Sequence, residues 1–355
     1  MINLGKKVGF LLVIFVFFSF STFAQEVGIR EAIDLSWENS IDLQIATINL
    51  ENSRINYKKT EADIMRTGSR YAQLQNELGL IQAENSFLQS ENRLVRDTVS
   101  QYFSLILTEM ELERKETSLE LEKRRLEEVE KQVQTGHRSQ LDLIQQQSSY
   151  NSTVFELEAA RQDLIQDGEE FRYKLGLEEI PYTKNDILLE VEPVAIDQEN
   201  FLRKALASAT EITVRERQLE LAEIDLNRAR EVSTPALDLE QKENNLEIAR
   251  LNITKTEQDA KHRFQQIYNG FARAKNSLQL AGERLEEAEK NHEIIVRQEE
   301  LGLRTINDLL VSRISLMGAK QSFSQAVNSY YLVLFDIYEA MGHNLKEVAD
   351  EILQN

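Results

Sequence analysis

Cysteine is absent from all 355 residues. That absence removes disulfides, thiolate metal sites, a cysteine nucleophile and a lipid-modified N-terminal cysteine together. Proline occurs three times, at Pro181, Pro193 and Pro235, so little in the chain interrupts long helices. The four histidines, His137, His262, His292 and His343, are scattered, and no pair has the H-E-x-x-H spacing of a helical zinc site. Zinc needs three or four converging groups, so His137 reads as a solvated side chain. There is no phosphate-cradling glycine loop and no G-x-S-x-G elbow. Paired carboxylates abound, but in an acidic helical chain they form a solvated face. Enzyme chemistry is therefore the weakest reading, and neither a cofactor nor a metal is expected.

Long apolar runs are also scarce. One lies at Val8 to Phe20, behind Lys6 and Lys7 and ahead of Ser21-Thr22-Phe23-Ala24. A basic start, a short apolar core and a small residue before the cut describe a signal peptide over residues 1–24, with cleavage ahead of Gln25. The alternative, a retained anchor, needs roughly 20 apolar residues where about 13 are present. No later stretch approaches a spanning helix. Loss of the leader takes two lysines with it and moves the net charge from −19 to −21. Such a chain is repelled by nucleic acid and by anionic lipid headgroups.

What is present is a duplication. Thr135 to Ile144 superposes on Leu301 to Leu310, so that Gly136, Arg138, Asp142 and Leu143 fall on Gly302, Arg304, Asp308 and Leu309. The same offset of 166 residues pairs Tyr102 with Tyr268, Leu112 with Leu278, Leu119 with Leu285, Gln132 with Gln298, Ala160 with Ala326 and Gly176 with Gly342. One register held without a gap over this distance marks a tandem repeat.

Within each half the pattern is helical. Leu105, Leu112, Leu119, Leu126 and Val133 recur at sevens, as do Phe264, Phe271, Leu278 and Leu285, which predicts a coiled-coil seam. The spacing predicts helices over Arg30 to Arg66, Tyr71 to Gln134, Leu141 to Leu175, Glu199 to Arg230 and Asn307 to Met341. At 1.5 Å per residue the second of these is roughly 95 Å long. Gly136 and Gly302 are placed to end the long helices with positive φ, and Ser139 and Thr305 to cap the helices that follow. The expected organisation is a first helical repeat over 25–177, a linker over 178–197 and a second helical repeat over 198–355. Ile187 to Val191 in that linker, between Pro181 and Pro193, reads as a short strand.

These residues resemble the TolC family of outer-membrane efflux proteins. The opening Ile29 to Asn39 is similar to the family's "EA-I-x-x-A-x-x-N" start, and Phe201 to Ala207 repeats it. The Gly136–Asp142 and Gly302–Asp308 turns resemble the two tip motifs at the periplasmic mouth, and Leu175-Gly176 and Met341-Gly342 resemble the "L-G" ends of the repeats. The resemblance implies an all-α homotrimer in which three copies close a twelve-helix hollow cylinder in the periplasm. It also implies docking to a periplasmic membrane-fusion adaptor and an inner-membrane pump. Gly136, Arg138, Asp142, Gly302, Arg304 and Asp308 would then gate the entrance or dock the adaptor. Asp142 and Asp308 have two readings: helix N-terminal acids favoured by the helix dipole, or rings of negative charge at a narrow mouth.

One departure stands out. The family threads two long β-strands between the first and second helices of each half to build its barrel. Here the junctions are Thr67-Gly68-Ser69 and Val232 to Leu237, too short for membrane strands of about 10 residues each with a loop. Without a closed barrel the chain is not expected to line a hole through the outer membrane. Three function classes follow: a periplasmic conduit for efflux or export, a structural coiled-coil spacer or tether, and, last, an enzyme. A tether packs its seam solid, whereas a conduit needs returning helices around a lumen. The duplicated hairpin favours the conduit.

Overall fold

A computed structural model describes residues 26–183, 191, 193–232 and 234–353. The expected leader and four of the five residues of the expected strand, Ile187 to Glu190, lie outside the described residues. The fold is all-α. Helices α1 (Ile29–Asn39), α2 (Ile41–Thr67), α3 (Arg70–Gln134) and α4 (Gln140–Leu175) are followed by α5 (Gln198–Ser208), α6 (Thr210–Glu231), α7 (Ala236–Glu300), α8 (Ile306–Ala340) and α9 (Leu345–Ile352). Among the described residues the strands are two dipeptides, β1 (Glu26–Val27) and β2 (Tyr182–Thr183), which pair in parallel. Helices α3 and α7 are each 65 residues long and start 166 residues apart.

The helix ends obey local chemistry. Gly68, Gly136, Gly176, Gly302 and Gly342 hold positive φ. At Gly136 the amide N–H of His137 donates to Gln132 O (2.8 Å) and that of Gly136 to Val133 O (3.0 Å). The matching bonds at Gly302 run from Leu303 to Gln298 O and from Gly302 to Glu299 O, both 2.8 Å. This paired closure satisfies carbonyls that the last turn leaves open, and glycine reaches the required φ without a Cβ clash. Two residues, 68–69, separate α2 from α3, and four, 232–235, separate α6 from α7, too few for a strand pair.

Two expected helices are each broken in two. The stretch over Arg30 to Arg66 divides at Ser40, whose backbone is extended (φ −70°, ψ 110°) and whose hydroxyl accepts from Leu43 N at 3.1 Å. The stretch over Glu199 to Arg230 divides at Ala209, also extended (φ −69°, ψ 97°). In both halves the residue before the break turns onto the end of the returning helix. Asn39 Nδ2 donates to Leu175 O at 2.9 Å, and Ser208 Oγ donates to Met341 O at 2.9 Å. Helix α9, not anticipated, is capped by Asn344 Oδ1 accepting from Lys346 N, and Asn92 Oδ1 of α3 accepts from Leu345 N.

This contact separates glycines that share a φ. A Cβ at Gly136 would meet open space, but one at Gly176 would lie 2.7 Å from Asn39 Cγ. Asn39 is not free to move, because it caps Leu175. Gly136→Ala should therefore cost only the left-handed backbone penalty, about 1–2 kcal/mol. Gly176→Ala should cost about 1 kcal/mol more, for the displaced hydrogen bond. Equal melting of the two variants would refute this difference.

Packing follows from the row α4–α3–α8–α7, with α2 against α3 and α6 against both α7 and α3. The core is a collar around the middle of the long helices. Ring centroids 5.9–6.3 Å apart run from Phe171 of α4 through Tyr102 and Phe103 of α3, Tyr331 and Tyr330 of α8, and Phe271 and Tyr268 of α7 to Phe201 of α5. Val194 and Ile196, just before α5, are strapped to this collar: Tyr330 Oη accepts from Val194 N (2.8 Å), Tyr268 Oη donates to Ile196 O (3.1 Å) and Lys275 Nζ donates to Val194 O (3.2 Å). Thr183 Oγ1 donates to Glu109, whose carboxyl is pushed up by burial.

The heptad seam is only partly buried. Leu105, Leu126, Phe264, Phe271 and Leu278 are inside, whereas Leu112, Leu119, Val133 and Leu285 are half-buried. Away from the collar, α3 lies between α4 and α8. It therefore spreads its burial over two flanks, where a two-stranded coiled coil would use one stripe.

Candidate functional site

The hairpin turns carry all six residues singled out above. Gly136, Arg138 and Asp142 lie at the α3–α4 turn, and Gly302, Arg304 and Asp308 at the α7–α8 turn. Antiparallel contacts between α3 and α8 put the two turns at the same end of the molecule. Arg313 Nη2 donates to Glu113 at 3.0 Å near that end, and Arg96 pairs with Asp336 and Glu339 farther up.

Each turn closes a capping box. Ser139 Oγ accepts from Asp142 N (3.2 Å), while Asp142 Oδ2 accepts from Ser139 N and Ser139 Oγ, both 2.9 Å. Thr305 and Asp308 repeat this with 3.2, 3.0 and 2.9 Å. These bonds satisfy helix N-terminal donors reciprocally. The backbone N–H of Ser139, then its hydroxyl, hold the Asp142 carboxyl below the ordinary carboxylate range, with Arg138 adding a smaller pull. Thr305 and Arg304 do the same for Asp308. Both aspartates thus carry a structural role. Arg304 Nε donates to Gln298 Oε1 at 3.2 Å, and both arginines stand at exposed positions.

Above the tips, the flanks of the row are unlike its interior. Helix α8 covers Leu310 and Tyr331, which are 5 % and 7 % exposed, while the α4 residues that match them in the repeat, Ile144 and Ile165, are 61 % and 52 % exposed. On the opposite flank α7 exposes Ile248, Leu251, Leu280 and Ile294, and α2 exposes Ile41, Ile45 and Ile48 on the α4 side. Exposed apolar side chains that recur along one helix face are candidate association sites. Among the described residues no cluster of His, Asp and Glu could hold a metal, and no helix is long and apolar enough to cross a membrane.

The sequence missed the clamp of Asn39 on Leu175 and of Ser208 on Met341. The repeat offset is 169 residues for α1 and α5 but 166 for the hairpins, so one ungapped register does not superpose Asn39 with Ser208.

No protein-family model and no curated protein matches the sequence. The fold does match solved structures. A crystal structure of CusC, concerned with folding and transmembrane channel formation, superposes with a TM-score of 0.62 over 90 % of this chain and 93 % of that one, at 16 % identity. The Campylobacter jejuni CmeC outer membrane channel gives 0.57 over 91 % and 89 % at 13 % identity. The Vibrio cholerae outer membrane protein VceC gives 0.58 over 89 % and 96 % at 13 % identity. The architecture is therefore that of outer-membrane channel proteins of the TolC type, without long strands among the described residues.

Proposed function

We propose that this chain is the periplasmic tunnel of an efflux or export system, exported by its leader and associated with the outer membrane. Three copies close the ring, and the tips dock a periplasmic membrane-fusion adaptor above an inner-membrane pump. The observation that carries this reading is the open row α4–α3–α8–α7. Its two flanks expose apolar side chains that no described element covers, and both hairpin tips lie at the same end. A heterologous interface of this kind generates a ring when its rotation closes. In this reading the pore through the outer membrane belongs to another protein, because the α2–α3 and α6–α7 junctions are only two and four residues long.

A structural spacer in the periplasm is the second reading, favoured by the same long helices. A spacer needs no repeated closed end, whereas two tips with matched glycines, arginines and capping boxes suit a mouth. Light scattering of the processed protein at micromolar concentration is expected to give three copies. A strict monomer would remove the tunnel reading.

A further inference from the structure

The repeat makes one seam inside the chain a template for a seam between copies. In the second half, the clamp of Ser208 on Met341 borders a cleft holding Glu211, Arg263, Asp336 and Glu339. Helix α3 of the first half closes this cleft from the side with Asn85, Leu88, Gln89 and Asn92. One turn further on, Arg96 fixes the seam by pairing with both Asp336 and Glu339.

The first half has the matching cleft, bordered by Asn39 and Gly176, but among the described residues no second helix pair closes its side. Asp42, Asp97, Glu170, Tyr173 and Lys174 line it. Burial lowers the Lys174 amine to about 8, with Asp97 only partly offsetting it, and Gln101 Oε1 is buried there without a hydrogen-bond partner. Tyr173 is 80 % exposed.

The helix that would close it is the repeat equivalent of α3, namely α7. Adding 166 to the four α3 residues gives Leu251, Thr254, Lys255 and Gln258, and Arg96 becomes His262. All five are exposed on the flank of α7. Within one chain, α7 lies at the far side of the row and does not reach the cleft. The fixed charges are complementary: the cleft holds three carboxylates and one amine, and the strip carries Lys255, in the same sense as Asp336 and Glu339 meet Arg96 in the internal seam.

We infer that the cleft at Asn39, Glu170 and Lys174 is the seat for the Leu251–His262 strip of a second copy, with His262 standing against Glu170 and Tyr173 as Arg96 stands against Asp336 and Glu339. The inference rests on the ring reading and adds a residue-level register to it. The seam between copies then differs from the internal seam at one telling point. An imidazole, whose two ring nitrogens point apart, replaces a guanidinium whose fork of donors grips two carboxylates at once. The joints inside each copy are therefore stronger than the joints between copies.

The absence of cysteine makes the test clean. Copies carrying Tyr173→Cys alone and copies carrying His262→Cys alone are mixed, co-assembled and treated with a short bis-maleimide. Cross-linked dimers are expected in the mixture and in neither variant alone, and the double variant should give a ladder ending at three. Arg96→Cys with Glu339→Cys, the internal counterpart, should react without any change in mass class. His262→Arg should slow dissociation on dilution, and Glu170→Arg should speed it. Three copies by light scattering with no cross-link in the double variant would overturn the register while leaving the ring. Monomers by light scattering would overturn the ring itself.

Discussion

Phe103→Ala is expected to lower the stability of the protein by about 3–5 kcal/mol, the range for emptying a fully buried aromatic site. Phe103 is 0 % exposed and lies at the point where the two halves meet. Its ring is edge-on to Tyr102 at 6.2 Å on its own helix and tilted against Tyr331 of α8 at 6.3 Å. Removing it breaks the aromatic belt between the first hairpin and the second, where no neighbouring helix can close in without dragging the others. Leu112→Ala and Leu119→Ala, on the expected heptad seam, should cost clearly less, since both side chains are half-buried. The measurement is chemical denaturation at fixed protein concentration, because binding between copies adds to apparent stability. Equal losses at Phe103 and Leu112 would mean that the seam, and not the collar, holds the halves together.

The difference between seam and collar also shows which parts of the fold the sequence reveals. Helix type and the tip turns are legible because they depend on neighbours a few residues away. Gly136 with Ser139 and Asp142 spells a helix end, a cap and a capping box within seven residues, and Gly302 with Thr305 and Asp308 spells it again. The breaks at Ser40 and Ala209 are not legible, because their cause is tertiary. Asn39 and Ser208 leave the helix to reach carbonyls more than a hundred residues away. Helix α9 is hidden for the same reason, being held by Asn92 and Glu91 of α3. The heptads suggested a single stripe because periodicity reports that a face is buried and not how many partners share it. As for the candidate site, its residue types are visible in the sequence. The division of labour between aspartate and arginine needed the capping bonds.

That division gives the second large effect. Reversing Arg138 and Arg304 to Glu should leave melting within about 0.5 kcal/mol of the unaltered protein, as expected for exposed surface positions. The bond from Arg304 to Gln298 is exposed. Binding of a periplasmic adaptor should nevertheless fall tenfold or more, since a closed ring of three copies would present six reversed charges at its mouth and like charges across an interface are strongly disfavoured. The unaltered protein should also lose adaptor affinity as salt rises, because exposed charge pairs are screened, while the reversed variant should respond in the opposite direction. Ser139→Ala with Thr305→Ala is the matched control. Losing the caps should cost about 0.5–2 kcal/mol at each helix and lower the melting temperature, with both arginines kept. Thermal melting and adaptor pull-down at low and high salt on the two variants separate the roles. If the arginine variant melts early, or holds the adaptor as the unaltered protein does, the tips are structural ends of the hairpins and the docking surface lies elsewhere.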